Sequence, residues 1–297
     1  MTRSPLFRLA VAASAACALT GAHATEGGGT VVPIGVQTVA SGALQPAGDY
    51  LLTYNTWVRG EQLADATGND AVPDFRLRVQ AHAVRYLHVF DGTTLWGGTP
   101  AFEVAAARVN TSVSSRFFGG RDSGLGDTSI GPSLGWHGQT LQQMVSALVV
   151  VPTGSYDKAR TVNVGRNYYA LQLDYAVTAF TAFGLEASAM NKIVLNRRNN
   201  ATGYKSGSEL DIDYAVNQHL PYDLFVGVGG YLHRQFTDDT VDGARYDDGH
   251  RVRDFTVGPQ AGWGTPTHGV YVAWQHQEGV RNAAKGDLLW VNGFFRF

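Results

Sequence analysis

Cysteine is almost missing from this chain: its 297 residues contain one, Cys17, together with only three methionines. One cysteine can close no intrachain disulfide and build no multi-cysteine zinc site. Charge is scarce too. Lys, Arg, Asp and Glu make up 16% of the sequence, against roughly 25% in soluble domains. No sign dominates, with 23 Lys and Arg against 25 Asp and Glu, so the basic footprint of a nucleic-acid binder is absent and no nucleic-acid partner is expected. Beyond residue 24 no apolar run reaches the ~18 residues that a membrane helix requires. Glycine is what the sequence has in excess. There are 36, above the usual ~7% share, scattered among aromatic and β-branched stretches in the manner of strands joined by turns.

The N-terminus reads as an export signal over residues 1–24. Arg3 and Arg8 precede an apolar stretch from Leu9 to Leu19, and Ala22-His23-Ala24 supplies a small-x-small cleavage pattern. A lipoprotein cut before Cys17 would want a Leu-like residue three positions earlier, where Ser14 stands. Residues 25–47 are rich in Gly, Ala and Pro without a sustained period, and form either a periplasmic leader or a plug in a lumen. Residues 48–297 make up the remaining domain.

Within that domain the pattern changes to runs of period-two alternation. Twelve runs begin near Tyr50, Arg76, Phe102, Asp127, Leu141, Asn167, Ala182, Ser208, Tyr222, Arg253, Gly269 and Asp287. In the eighth, Leu210, Ile212, Tyr214 and Val216 share one face, and Glu209, Asp211 and Asp213 the other. Runs of this length exceed the usual strand of five or six residues and suit a tilted crossing of a bilayer, which takes ~9–11. The connections sort by length. Odd-numbered ones are polar and mostly long: Gly60 to Phe75, Phe118 to Gly124, Thr153 to Gly165, Asn196 to Gly207, Thr237 to His250 and Glu278 to Gly286. Even-numbered ones are tight around Gly138-Gln139, Thr181, Leu220-Pro221 and Thr265-Pro266-Thr267, while Asp91 to Thr99 is long. Short periplasmic turns and longer extracellular loops are the arrangement of outer-membrane barrels. Trp57, Trp136, Tyr222 and Trp263 fall near run ends, where interfacial girdles would lie.

An open edge in hydrocarbon leaves backbone groups unpaired, so the strands must close into a ring. The fold class is therefore all-β: one closed antiparallel transmembrane barrel of about 12 strands, with 10 to 14 compatible with the pattern. The outer-membrane lipid and the barrel assembly machinery become expected partners, with the terminal Phe297 as assembly signal. An internal echo joins Asp127, Gly131, Pro132, Gly135 and Trp136 to Asp254, Gly258, Pro259, Gly262 and Trp263 at identical spacing. Either duplication or convergence explains it. Gly131-Pro132 and Gly258-Pro259 are expected to form strand bulges, since Pro removes a ladder donor.

The sequence also resembles a family of outer-membrane proteins grouped with the meta pathway of phenol degradation. The likeness rests on Gly27-Gly28-Gly29 with Pro33 and Gly35, on Pro46-Ala47-Gly48-Asp49-Tyr50, on Gly124-Leu125-Gly126-Asp127 leading into Gly131-Pro132, on Pro152-Thr153-Gly154-Ser155-Tyr156, and on Phe297. The resemblance implies a transporter-like outer-membrane barrel linked to aromatic or hydrophobic compounds, and it brings no catalytic residues.

A lumen between the filled eight-stranded and the water-filled sixteen-stranded cases suits passive uptake of a small-molecule solute. Arg78, His82, Asp174, Glu186, Lys192, Glu209, Asp211 and Asp213 are then the candidate pore lining. The alternatives are a structural or surface-interaction barrel with a packed lumen and, further off, a barrel hydrolase. No enzyme is expected. His82, His88, His219, His233, His250, His268 and His276 are scattered without a nucleophile elbow, and His233 would meet Ser208 only in a favourable register. The acidic loops at Asp238-Asp239-Thr240-Val241-Asp242 and Asp247-Asp248 lack calcium-loop spacing, so no metal and no cofactor are expected.

Overall fold

The computed structural model describes residues 29–297; the export signal expected at 1–24 lies outside them. Among the described residues sixteen strands follow one another without a helix: β1 Gly48–Leu63, β2 Arg76–Val89, β3 Thr99–Ser114, β4 Gly119–Leu125, β5 Thr128–His137, β6 Leu141–Val151, β7 Ala170–Phe180, β8 Leu185–Asn196, β9 Tyr204–Lys205, β10 Glu209–His219, β11 Leu224–Gln235, β12 Thr240–Val241, β13 Ala244–Arg245, β14 Arg253–Gly264, β15 His268–Arg281 and β16 Ala284–Arg296. All long strands pair antiparallel with their neighbours, and β1 pairs with both β2 and β16, so the sheet closes. β4 and β5 lie end to end against β3 and count as one stave, which makes a barrel of twelve. The three short strands β9, β12 and β13 form a separate small sheet.

The strands occupy all twelve alternating runs, and the alternation sorts the wall. Outward positions such as Val216, Val226, Val228, Val270 and Trp274 are exposed apolar residues, the belt a bilayer covers. Inward positions hold most of the buried polar side chains. At one end, turns at 138–140, 181–184, 220–223 and 265–267 are short, and Tyr222, Phe183 and Phe297 stand exposed there. Two connections at the other end differ from expectation. Phe118 to Gly124 is mostly strand β4, and Glu278 to Gly286 is mostly β15 and β16, joined through Asn282 and Ala283. Asn282 adopts φ +54°, a conformation Asn tolerates better than most residues, which allows so tight a reversal among polar residues that read as a loop.

The expected bulges are absent. Val228 opposes Pro259 and Phe102 opposes Pro132 without a register shift, and the ladders to β6 and β15 skip both Gly-Pro pairs but resume in the same register; a register shift does occur in β14, between Arg253 and Phe255. The glycine beside each proline has another use. A Cβ on Gly131 would strike the Ala147 carbonyl and one on Gly258 the Trp274 carbonyl of the next strand, so glycine lets the neighbouring backbone close in. The missing proline N–H then costs one ladder bond without displacing the strand. The two echoing strands β5 and β14 stand six staves apart in either direction around the ring.

Candidate functional site

Residues 29–47 run inside the barrel, and the inner wall explains why. Strands β7, β8, β10, β14 and β15 turn carboxylates, amides and hydroxyls inward, and these take up the backbone of a segment that has no strand partner of its own. Asp213 Oδ1 accepts the amide of Gly35 at 2.7 Å and Oδ2 that of Gln37 at 3.0 Å. Glu186 accepts the Ala40 amide at 2.7 Å, and Thr178 Oγ1 that of Gly42 at 2.9 Å. In the other direction Gln275 donates to the Gly35 carbonyl, Lys192 to that of Pro33 and Tyr271 to that of Val36. Thr38 Oγ1 donates to Gln260 at 2.8 Å. Gly35 sits at φ +76°, and a Cβ there would strike Tyr231 and Gln275.

Six of the eight candidate lining residues therefore face inward: Asp174, Glu186, Lys192, Glu209, Asp211 and Asp213 are all buried. Asp213 and Glu186 hold the N-terminal segment, and Lys192 Nζ, 2% exposed, bridges Asp213 at 2.7 Å. Glu209 and Asp211 lie beside a residue whose surroundings the sequence did not show. The His233 ring sits among three acids, 3.4 Å from Glu209, 3.9 Å from Asp211 and 3.8 Å from Asp254. The register places His233 opposite Asp211 and not near Ser208, so the nucleophile pairing does not form.

Arg78 and His82 are a correction. Both point outward and are exposed, because the inward face of β2 is the apolar one: Leu77, Val79, Ala81 and Ala83. On β3 the inward residues from Glu103 toward the loop end are again mostly small or apolar, Ala105, Ala107, Val109 and Val113. Alternation alone does not say which parity is lumenal, and polarity misassigns β2. The usable signal was size, since alanines suit an occupied lumen while the lipid belt elsewhere carries large side chains.

The lumen is thus two-faced. Opposite the polar wall, the apolar side of β1, β2, β3 and β16 leaves a cavity of about 480 Å³, bounded also by Val32, Ile34 and Val36 of the inner segment and by Trp290, within the ~300–1,000 Å³ of small-molecule sites. Its floor is the pair Arg85–Glu103 at 3.1 Å, with Arg85 over the Tyr54 ring at 5.4 Å. Beneath lies a cluster formed by Leu44, Tyr50, Leu52, Leu87, Val89 and Met144, which closes the turn end. At the loop end, residues 161–164 border the cavity. They are held down by Asp122, which accepts from the Val164 amide and from Arg160, and by Asp127, which accepts from Gly154 and Arg166. Among the described residues one group brings three metal-type ligand atoms together, Asp247, Asp248 and His250, in the loop before β14.

A closed twelve-stranded barrel with an apolar outer belt, turns at one end and loops at the other defines a transmembrane barrel of the outer-membrane type. The family model described as "Putative MetA-pathway of phenol degradation" matches residues 60–293, and the chain belongs to that family. Among solved structures it is similar to an outer membrane channel from Pseudomonas putida F1, at 18% identity and a TM-score of 0.77, over 90% of this chain and 100% of that one. The β domain of the Bordetella autotransporter BrkA matches with 9% identity and a TM-score of 0.50, over 84% of this chain and 100% of that one. No curated protein matches the sequence.

Proposed function

We propose that this barrel is a passive outer-membrane channel for small, mainly apolar molecules, exported through its N-terminal signal, with the segment preceding β1 acting as a plug. The observation that carries this reading is the division of the lumen. Much of the polar wall is taken up by the inner segment, and the face left free is mainly apolar and borders a cavity of small-molecule size, which Lys192, His233 and Asp254 of the polar wall touch only along one side. Such a wall suits aromatic or aliphatic bodies better than ions or sugars. The family's link to phenol degradation and the fold shared with a protein named as an outer membrane channel support the same direction. The cluster around Leu44 favours a second reading, a packed lumen with a structural role.

One experiment separates the two. Ala83 and Ala107 are cross-strand partners on the free face. The refolded protein should bind an apolar fluorescent probe in detergent-free bilayers, and Ala107→Trp should weaken that binding at least tenfold while heat-shifted gel mobility shows an intact barrel. Deleting residues 25–47 should raise single-channel conductance. Equal probe binding by wild type and Ala107→Trp, with no conductance from the truncated chain, would establish the packed lumen instead.

A further inference from the structure

The outer wall has a sector that departs from a lipid-facing surface. On β11, Leu224, Val226, Val228 and Leu232 point outward and are exposed. On β2 the outward positions are apolar only at Val84 and Tyr86, and from His82 toward the loop end they become polar and cationic. The register carries this across three staves. His82 stands opposite Arg108, Gln80 opposite Asn110, and Arg78 opposite Ser112, which in turn faces Arg121 on β4. Alternation puts all of these on one outer face. Arg78, Gln80, Asn110, Ser112 and Arg121 border a groove of about 640 Å³ that extends to Ser155 and Arg160, with His82 and Arg108 on the same face beyond its lining.

The groove's charge is uncompensated. Arg78, Arg108 and Arg121 are exposed and form no ion pair among the described residues. The one carboxylate on the groove, Asp122, is turned to Arg160 and the Val164 amide and is largely buried. An arginine pressed into hydrocarbon is costly, so these side chains need an anionic partner at headgroup depth. The patch begins one ladder step, ~7 Å along the strand, beyond Val84, on the loop side of the belt. Guanidinium groups match phosphate oxygens in bidentate geometry, and the amide and hydroxyl groups of Gln80, Asn110 and Ser112 suit the hydroxyls of a sugar.

We infer that the β2–β3–β4 sector is a seat for the phosphorylated glycolipid headgroup of the outer leaflet, with Arg78 and Arg121 holding a phosphate between them and Arg108 gripping from the membrane side. The site is on the outside of the wall and is independent of what passes through the lumen.

The test uses the whole folded protein in detergent, titrated with bis-phosphorylated lipid A, with the same lipid dephosphorylated, and with inorganic phosphate, and followed by native mass spectrometry and thermal unfolding. One phosphorylated lipid should remain bound, dephosphorylation should weaken it at least tenfold, and inorganic phosphate should give no comparable protection. R78Q/R121Q should lose at least tenfold in lipid affinity while R197Q, on the loop after β8, does not. Arg78 and Arg121 have no side-chain ion pair among the described residues to lose, and heat-shifted gel mobility checks that the variant is folded; R108Q alone gives a second reading. Equal binding of the dephosphorylated lipid, equal protection by inorganic phosphate, or unchanged affinity in both arginine variants would overturn the inference. So would crosslinking through Ser112→Cys that traps a second copy of the chain on this face.

Discussion

Asp213 shows how much one inward residue can govern. Its two oxygens receive the amides of Gly35 and Gln37 and the ammonium of Lys192, so it fastens the inner segment and neutralises a buried cation at once. Removing one partner of a buried pair leaves the other charge uncompensated, which typically costs roughly 3–5 kcal/mol. Asp174 and Asp211 stand opposite Lys192 on the flanking strands, which places Asp213→Ala at the low end of that range. Chemical unfolding should show the loss, and single-channel recording should show a larger or noisier conductance as the segment comes free. Lys192→Met combined with Asp213→Leu removes both charges and should recover much of the stability while the conductance stays high. Unchanged conductance in both variants would mean the segment is held by its apolar contacts alone. The polar side of this site was legible in the sequence because carboxylates alternating with Leu, Ile and Val have only one plausible place in a barrel. Arg78 and His82 were misread because the apolar parity of β2, Leu77, Val79, Ala81 and Ala83, would ordinarily face lipid, whereas here it faces the lumen.

At the scale of elements, the loops β8–β10 and β11–β14 meet over the mouth, where β9 pairs with β12 and β12 with β13. Asp239 ties them together. It is fully buried and accepts from the Gly207 amide at 2.7 Å, from Gln235 at 2.8 Å and from the Tyr204 hydroxyl. Burial pushes its carboxyl up to about 6 against the pull of these donors, whereas an unfolded Asp titrates near ~3.9. The folded cap therefore holds its proton more tightly than the open one. Its added stability is complete below about pH 4, declines as the pH rises toward 6 and is gone above that. Hydrogen exchange of residues 204–207, corrected for the intrinsic pH dependence, should report a looser cap at pH 7 than at pH 4.5, and Asp239→Asn should remove the difference. A cap equally protected at both values would assign its stability to the strand pairing alone. None of this was visible beforehand, since a five-residue acidic stretch reads as solvated turn until a partner loop covers it. The long strands were visible because alternation survives over ten or more residues. Glu278 to Gly286 was taken as a loop because His276, Glu278 and Lys285 pair with one another or with Asp287 above the apolar belt, where a strand can be polar on its outer side.

For the whole molecule, the apolar belt sets the energy of residence in the membrane. Val228 is 51% exposed on the far wall, and a Lys there near mid-bilayer should cost ~2–4 kcal/mol of insertion. Bilayer refolding yield measures it, and Gln80→Lys, in the cationic sector, should be tolerated; equal losses at both positions would contradict the uneven belt. Closure is the pairing of β1 with β16, whose contact runs from Tyr50 opposite Arg296 to Leu63 opposite Ala284. The inner segment ends where β1 begins, yet its hydrogen bonds go to strands made far later in the chain. The residues that lead directly into the seam are thus anchored on staves from β7 to β15, so the wall that β1 and β16 complete encloses a piece of its own chain.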